Sequence, residues 1–158
     1  MKHLIASIFI ALAALFSAAD ASAATRFFKE LASLPGVEST YIGPAALRFA
    51  SSAISDYASI SGDFDGDIKE LKCIETLECS DNKSFGKIET FINGLVDKLS
   101  LETMIESNEE DETTRIYCRS KEGEADTIEY MLIETIEPDE YLLVFMQGQF
   151  TLNYQNIP

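Results

Sequence analysis

Three aspartates at alternating positions have the spacing that most suggests cation binding. Asp63, Asp65 and Asp67 resemble the start of a calcium loop, in which every second residue supplies an oxygen ligand. An EF-hand loop beginning at Asp63 would also need glycine at position 68 and glutamate at position 74, but both positions hold isoleucine. A hydrated acidic loop explains the fragment more simply. A calcium-responsive binding module is therefore an alternative function, which calorimetry with calcium would test.

The cysteines are the second group that could do chemistry. Cys73 and Cys79 fall in one predicted strand, roughly 20 Å apart at strand rise, which is too far for a disulfide. Only a bond from Cys118 to Cys73 or to Cys79 stays open, and it would leave one thiol free. Buried free thiols that act as small apolar side chains are the simpler interpretation. The sequence has no C-x-x-C motif, so it does not support redox catalysis.

Two consecutive S-x-x-K motifs begin at Ser80 and Ser84, and the first also contains S-D-N. In penicillin-recognising enzymes these motifs are separate and lie beside a K-T-G strand, which this chain lacks. Capping of a helix by Ser80 or Asp81 explains the residues without catalysis. Nothing singles out a pair among the many carboxylates for glycoside hydrolysis. We assign no catalytic residue and no cofactor.

The N-terminus has the pattern of a cleavable secretory signal peptide. Lys2 precedes an uncharged run over residues 4–19, and Ala21-Ser22-Ala23 has the small-x-small form that signal peptidase accepts between Ala23 and Ala24. The run is shorter than the roughly 20 residues of a spanning helix, and no cysteine stands at the cleavage site for lipid attachment. We expect a signal peptide at 1–23, a single domain at 24–158, and export to the periplasm or medium without a membrane span or lipid anchor.

Cleavage would remove His3, the only histidine of the chain. Ser-His-Asp and Cys-His catalysis and histidine-bound zinc are then excluded. Cleavage takes away one basic and one acidic residue, Lys2 and Asp20, so the net charge of −15 is unchanged. This charge argues against nucleic acid as a partner, because phosphate binding needs clustered Lys and Arg. It favours solubility and attraction to a basic partner.

Hydrophobic periodicity predicts an α+β fold. Apolar residues at helical spacing predict helices over residues 26–34, 45–54 and 85–99. Alternating or β-branched runs predict strands over the ranges 37–42, 70–79, 101–107, 113–120, 127–135 and 140–150. Because short turns join the last four strands, we expect one mixed, largely antiparallel sheet of about six strands, with the helices packed on one face. The tail at 151–157 is predicted to form a short helical turn.

Two strands carry charged residues that bear on their predicted exposure. Glu75 interrupts an otherwise apolar strand face, which predicts a bulge or partial exposure there. Arg115, Tyr117 and Arg119 alternate with less polar neighbours, which predicts one solvent-exposed face for their strand.

The order of these elements resembles a known family. A signal peptide is followed by the strand Val37-Glu38-Ser39-Thr40-Tyr41-Ile42, an amphipathic helix, and a meander that ends in Val144-Phe145-Met146-Gln147-Gly148 with a late glycine. This is similar to the domain of unknown function 4252 family of small exported Bacteroidetes proteins. The resemblance implies an α+β domain, and it assigns no activity and no functional residues.

Together these observations favour a non-catalytic binding or accessory domain of the cell envelope, whose partner is an unidentified protein or envelope component. A small histidine-independent hydrolase or lyase that uses carboxylates or Ser-Lys is the alternative from a different class.

Overall fold

The computed structural model describes residues 26–47 and 66–152. It begins with a turn and a short 3-10 helix at Leu31–Ser33. The longer elements, in chain order, are strand β1 (Val37–Ile42), strand β2 (Gly66–Cys79), helix α1 (Asn82–Leu99) and strands β3 (Glu102–Glu109), β4 (Glu112–Lys121), β5 (Glu124–Ile136) and β6 (Tyr141–Leu152). Residues 44–47 are also helical.

In this part of the chain, six strands form one open sheet in the order β1-β2-β6-β5-β4-β3. Strands β3 to β6 are a meander, and β6 lies between β5 and β2. The meander and the α+β class are confirmed. Every pairing among the described strands is antiparallel, so the sheet is not mixed.

Helix α1 begins and ends where its sequence predicts. The Asp81 carboxylate accepts a hydrogen bond from the backbone N–H of Lys83 at 3.1 Å, which satisfies a free donor of the first turn. Ser100 takes a left-handed conformation (φ 52°) and donates its N–H to the carbonyl of Asp97, which ends the helix. Between these caps, a buried apolar stripe faces the sheet.

The main core lies between α1 and one sheet face. Its buried members come from the N-terminal segment, α1, the connection after α1 and four strands: Phe28, Leu31, Leu77, Cys79, Ile88, Ile92, Leu95, Leu101, Tyr117, Leu132, Tyr141, Leu143 and Phe145. A smaller cluster on the opposite face joins Ile74 and Val144 to Leu47, from the helical residues 44–47. The prediction that the helices pack on one face is therefore not confirmed.

Strand β2 is irregular where it meets the end of β6. Its register shifts twice, between Ile68 and Glu70 and between Leu71 and Cys73. Gly148 lies opposite Leu71 at this point, and a Cβ there would overlap the carbonyl oxygen of Glu70. A glycine in the last strand is therefore required by close approach of two backbones.

Three local predictions need comment. The helix predicted over 26–34 is wrong, because residues 27–30 form a turn that leads into the short 3-10 helix. The helix predicted over 45–54 begins as expected, but its residues 48–54 lie outside the described residues. Thr151 and Leu152 continue β6 instead of starting a helical turn.

Candidate functional site

The predicted calcium ligands are only partly within the described residues. Asp63 and Asp65 lie outside them, as do Ala23 and Ala24 of the predicted cleavage site. Asp67 belongs to β2, where its backbone is opposite Thr151. Within ranges 26–47 and 66–152, no group of three or more His, Cys, Asp or Glu side chains is arranged to hold a metal ion.

The structure does not bring Cys118 beside either of the other cysteines. Cys73 and Cys79 lie in β2 and Cys118 lies in β4, with β6 and β5 between them. Three strand spacings amount to roughly 14 Å, about twice the Cα separation that a disulfide allows. All three thiols are free.

The environment of Cys73 disfavours the thiolate form of its side chain. The side chain is 4% exposed, and its sulfur lies 3.9 Å from Oε1 of Gln147. Burial, with a smaller contribution from the charge of Glu75, raises the pKa of the Cys73 thiol to about 11. Burial, followed by the charge of Glu102, also raises the pKa of Cys118. Because the thiolate is the nucleophile, these thiols are poorly suited to covalent catalysis.

The serines of the S-x-x-K motifs stabilise the start of α1. The Ser84 hydroxyl is buried and donates to the carbonyl of Pro35 at 2.9 Å. The backbone N–H of Ser80 donates to the carbonyl of Gly36 at 3.0 Å. With Asp81 as the helix cap, these contacts confirm the structural interpretation of the motifs.

Two buried glutamates, which the sequence did not indicate as candidate site residues, are the most unusual ionisable groups of the described chain. Glu75 in β2 is 3% exposed and Glu134 in β5 is 1% exposed. Both point into the face covered by α1 and the N-terminal segment. A buried carboxylate is costly unless hydrogen-bond donors surround it, so their partners decide what each can do.

Glu75 binds the backbone of the N-terminal segment. Its Oε1 accepts the N–H of Phe27 at 2.7 Å, and its Oε2 accepts the N–H of Phe28 at 2.9 Å. The two phenyl rings then pack on Phe145, with ring centroids 4.3 Å and 6.3 Å away. One carboxylate thus fixes the point at which the chain enters the core.

The surroundings of Glu75 alter its titration. Burial raises the pKa of the Glu75 carboxyl, while the hydrogen bonds from Phe28 and Phe27 and the charge of Arg26 act in the opposite direction. Tyr41, opposite Glu75 in β1, stacks with the guanidinium of Arg26, whose Cζ lies 5.1 Å from the ring centroid. The prediction of a bulge or partial exposure at Glu75 is wrong. The strand register is regular there, and the donors of a segment 48 residues away keep the side chain on the buried face.

Glu134 is held by two phenols and a guanidinium. Its Oε1 accepts a short hydrogen bond from the hydroxyl of Tyr141, and its Oε2 accepts one from Tyr117 at 3.3 Å. Nη1 of Arg115 lies 3.2 Å from Oε2, and the same guanidinium reaches Glu106 of β3. Burial, with the hydrogen bond to Glu134, raises the pKa of Tyr141 well above that of a free phenol.

These contacts correct the prediction of an exposed face in β4. Arg115, Tyr117 and Arg119 face the core, and Tyr117 is only 8% exposed. Arg119 donates to the carbonyl of Leu99 at the end of α1 and to Glu129, while its guanidinium lies 4.4 Å from the ring centroid of Tyr130. The arginines therefore link strands and helix as structural groups.

The chemistry open to the two glutamates is limited by their partners. A general acid or base must reach the proton that it transfers, but both side chains are almost wholly buried and each of their oxygens accepts a hydrogen bond from within the chain. A sequence signal for both existed: each is an acid at an inward position of an otherwise apolar strand face. The hydrogen-bond donors that pair with these carboxylates lie far away in the chain, so the local sequence pattern could not predict them.

The fold and this polar interior define a small antiparallel α+β domain with internally satisfied carboxylates. The chain belongs to the family described as Domain of unknown function (DUF4252), which matches residues 28–156. No curated protein and no solved structure matches it. Within the described ranges, none of the helices has the length and apolar character needed to cross a bilayer.

Proposed function

We propose that the protein is exported to the periplasm or medium and acts there as a non-catalytic binding or accessory domain of the cell envelope. The basis for export is the N-terminal sequence, with its charged start, its uncharged run and the Ala21-Ser22-Ala23 site. The family carries no assigned activity. The net charge of −15 suits a soluble protein that attracts basic partners.

One observation carries the non-catalytic part of the proposal. The buried carboxylates of Glu75 and Glu134, which would be the natural candidates for acid-base catalysis, have all their oxygens bound to backbone, phenol and guanidinium groups. Such groups stabilise a fold and pay for it by losing access to a substrate. The pKa of Cys73 is raised to about 11, which also argues against a catalytic role for this thiol as a nucleophile.

A pull-down from the native cell envelope tests the binding role. The tagged full-length gene is expressed in its own host, and an untagged strain is the control. We expect the chain in the envelope or medium, beginning at Ala24 by intact mass, with a partner enriched over the control. Retention of Met1, recovery from the cytosol, or absence of any enriched partner would contradict the proposal.

Enzyme assays test the rival class of function. A hydrolase or lyase would turn over esters, amides, glycosides or acidic sugars, and the activity would depend on a carboxylate. We expect the wild-type protein to show no more turnover than either of two control variants, Glu75→Ala and Glu134→Ala. Turnover that either substitution abolishes, while the variant stays folded, would favour the enzyme.

A further inference from the structure

Strand β3 is the most exposed strand of the described sheet. It lies at one end of the strand order, so within the described residues only β4 pairs with it. Every residue of β3 except Met104 is exposed, on both faces of the sheet. Among the described residues Ile105 is the large apolar side chain that is exposed, with 48% of its surface accessible. An edge strand of this kind can pair with another extended chain through the backbone N–H and C=O groups of its outer side.

The charge around this edge indicates what could pair with it. Between Leu101 and Arg115 the sequence has six acidic residues and no basic one. A second copy paired through the same strand would bring these carboxylates together, and such like-charge contacts are unfavourable. The register shift between Thr103 and Ile105 is a further feature that protects edges against self-pairing. A basic extended segment avoids the like-charge contacts, and the part of β3 after the register shift, 105–109, is regular enough for it to pair with.

Both faces of β3 carry acidic residues: Glu106 lies on one face, and Glu102 and Glu109 lie on the other, which also holds the apolar Ile105. Glu106 is paired with Arg115 of β4 and contacts its guanidinium, so its side chain lies on the face that also holds α1. Ile105 is paired with Ile116 and lies on the opposite face. Since side chains alternate along a strand, a partner strand would place a basic residue beside Glu106 and an apolar residue beside Ile105.

We propose that the outer edge of β3 binds an extended segment of a partner protein in which basic and apolar residues alternate. The segment adds a seventh strand to the described sheet, with main-chain hydrogen bonds for affinity and the Glu106 and Ile105 faces for selectivity. This inference rests on the proposed binding function and names where the partner docks. Association is expected to weaken with salt, because the charges are exposed.

A peptide titration tests the docking edge. The probe is a blocked, fluorescent eight-residue peptide of alternating lysine and valine, added to protein purified from cells that express the full chain. Anisotropy gives the affinity, and hydrogen exchange gives protection of the amides at 102–109. We expect binding with protection of β3, and no binding of the same peptide with glutamate in place of lysine. Absence of binding, or protection elsewhere, overturns the proposal.

Three controls separate strand pairing from other causes. A peptide N-methylated at alternate amides keeps its charge but cannot form the main-chain hydrogen bonds of a strand. If it binds as tightly as the unmethylated peptide, binding is due to charge attraction alone and the proposal is overturned. Glu106→Gln is expected to weaken binding about threefold, and Glu38→Gln, the matched change on the exposed edge strand β1, to leave it unchanged. Self-association that protects β3 without peptide would assign the edge to a second copy and overturn the proposal.

The native pull-down distinguishes this inference from the proposed function. If the wild type enriches a partner and Ile105→Lys loses it, both stand. If Ile105→Lys retains the same partner as the wild type, the docking edge is wrong and the binding function stands. If the wild type enriches nothing, the binding function itself fails.

Discussion

Oε1 of Glu75 lies 2.7 Å from the backbone nitrogen of Phe27, a residue 48 positions earlier in the chain. This contact connects the middle of β2 to the segment that would follow directly after signal cleavage. The ring of Phe27 packs on Phe145 next to it. The N-terminal segment is therefore part of the core, and its attachment depends on one carboxylate.

Replacing Glu75 with alanine should detach this segment. The substitution leaves the N–H groups of Phe27 and Phe28 without their acceptor, so we expect a loss of about 2–4 kcal/mol in the free energy of unfolding. Chemical denaturation measures it. Glu70→Ala, an exposed change in the same strand, should shift stability by less than about 0.5 kcal/mol. Equal stability of the two variants would show that Glu75 does not anchor the segment.

The titration of Glu75 should appear in the pH dependence of stability. Its pKa is raised in the folded state above the ordinary value of 4.5, so the folded state binds the proton more tightly than the unfolded state. That stabilisation is fully present below pH 4.5 and is lost as the pH rises through the folded-state pKa. Tyr41 and Cys73 face the carboxyl, and because their own pKa values are raised they stay uncharged over this range.

A comparison with Glu75→Gln isolates this effect, because the amide does not titrate. The free energy of unfolding of the wild type minus that of Glu75→Gln should fall as the pH increases from 4.5 toward neutrality. Denaturation at a series of pH values measures the difference. A difference that increases with pH would mean that the hydrogen bonds of Phe27 and Phe28 outweigh burial.

The secondary-structure elements differ in how well the sequence predicts them. The period of two in β4, the continuous apolar run at the start of β6 and the apolar stripe of α1 were sufficient to place those elements, since each is decided by neighbours within a few residues. Residues 26–34 also had helical spacing, but the N–H groups of Phe27 and Phe28 bind the Glu75 side chain in place of helix carbonyls. A tertiary contact there overrides local preference.

The candidate site illustrates the same limit. An acid on an apolar strand face can be read from sequence, as Glu75 was, but whether it is exposed or buried depends on donors far along the chain. The face of Arg115, Tyr117 and Arg119 looked solvated because two of its three residues are charged. Their long side chains reach Glu134, Glu129 and the end of α1, so the charges are satisfied while the face stays covered.

Tyr141 and Glu134 should be energetically coupled through the hydrogen bond between their side chains. Tyr141→Phe leaves a buried carboxylate with one donor fewer, so we expect a loss of about 1–3 kcal/mol. A double-mutant cycle with Glu134→Gln should give a coupling energy of about 1 kcal/mol or more. The cycle with Tyr117→Phe, whose hydroxyl is 3.3 Å from Glu134, is the control and should give less. Coupling near zero for Tyr141 would contradict the arrangement.

The three thiols should differ in reactivity in the folded protein. Cys118 is only half-buried, whereas Cys73 and Cys79 are 4% and 0% exposed. We expect iodoacetamide to label Cys118 first at about pH 8 and to reach the other two only after unfolding. Non-reducing mass spectrometry of labelled peptides measures both pairing and rate. A disulfide from Cys118 to Cys73 or Cys79 would contradict three free thiols, and early labelling of Cys73 would contradict its protection by burial.

Photo-crosslinking from β3 in living cells tests the central claim most directly. A photoreactive residue at Ile105, with the same residue at Glu38 on the opposite edge as the control, is introduced into the full-length gene in its native host. We predict a covalent adduct with one envelope or secreted protein from position 105 and none from position 38, in material that begins at Ala24. An adduct from neither position, or a chain that retains Met1 in the cytosol, would contradict the account.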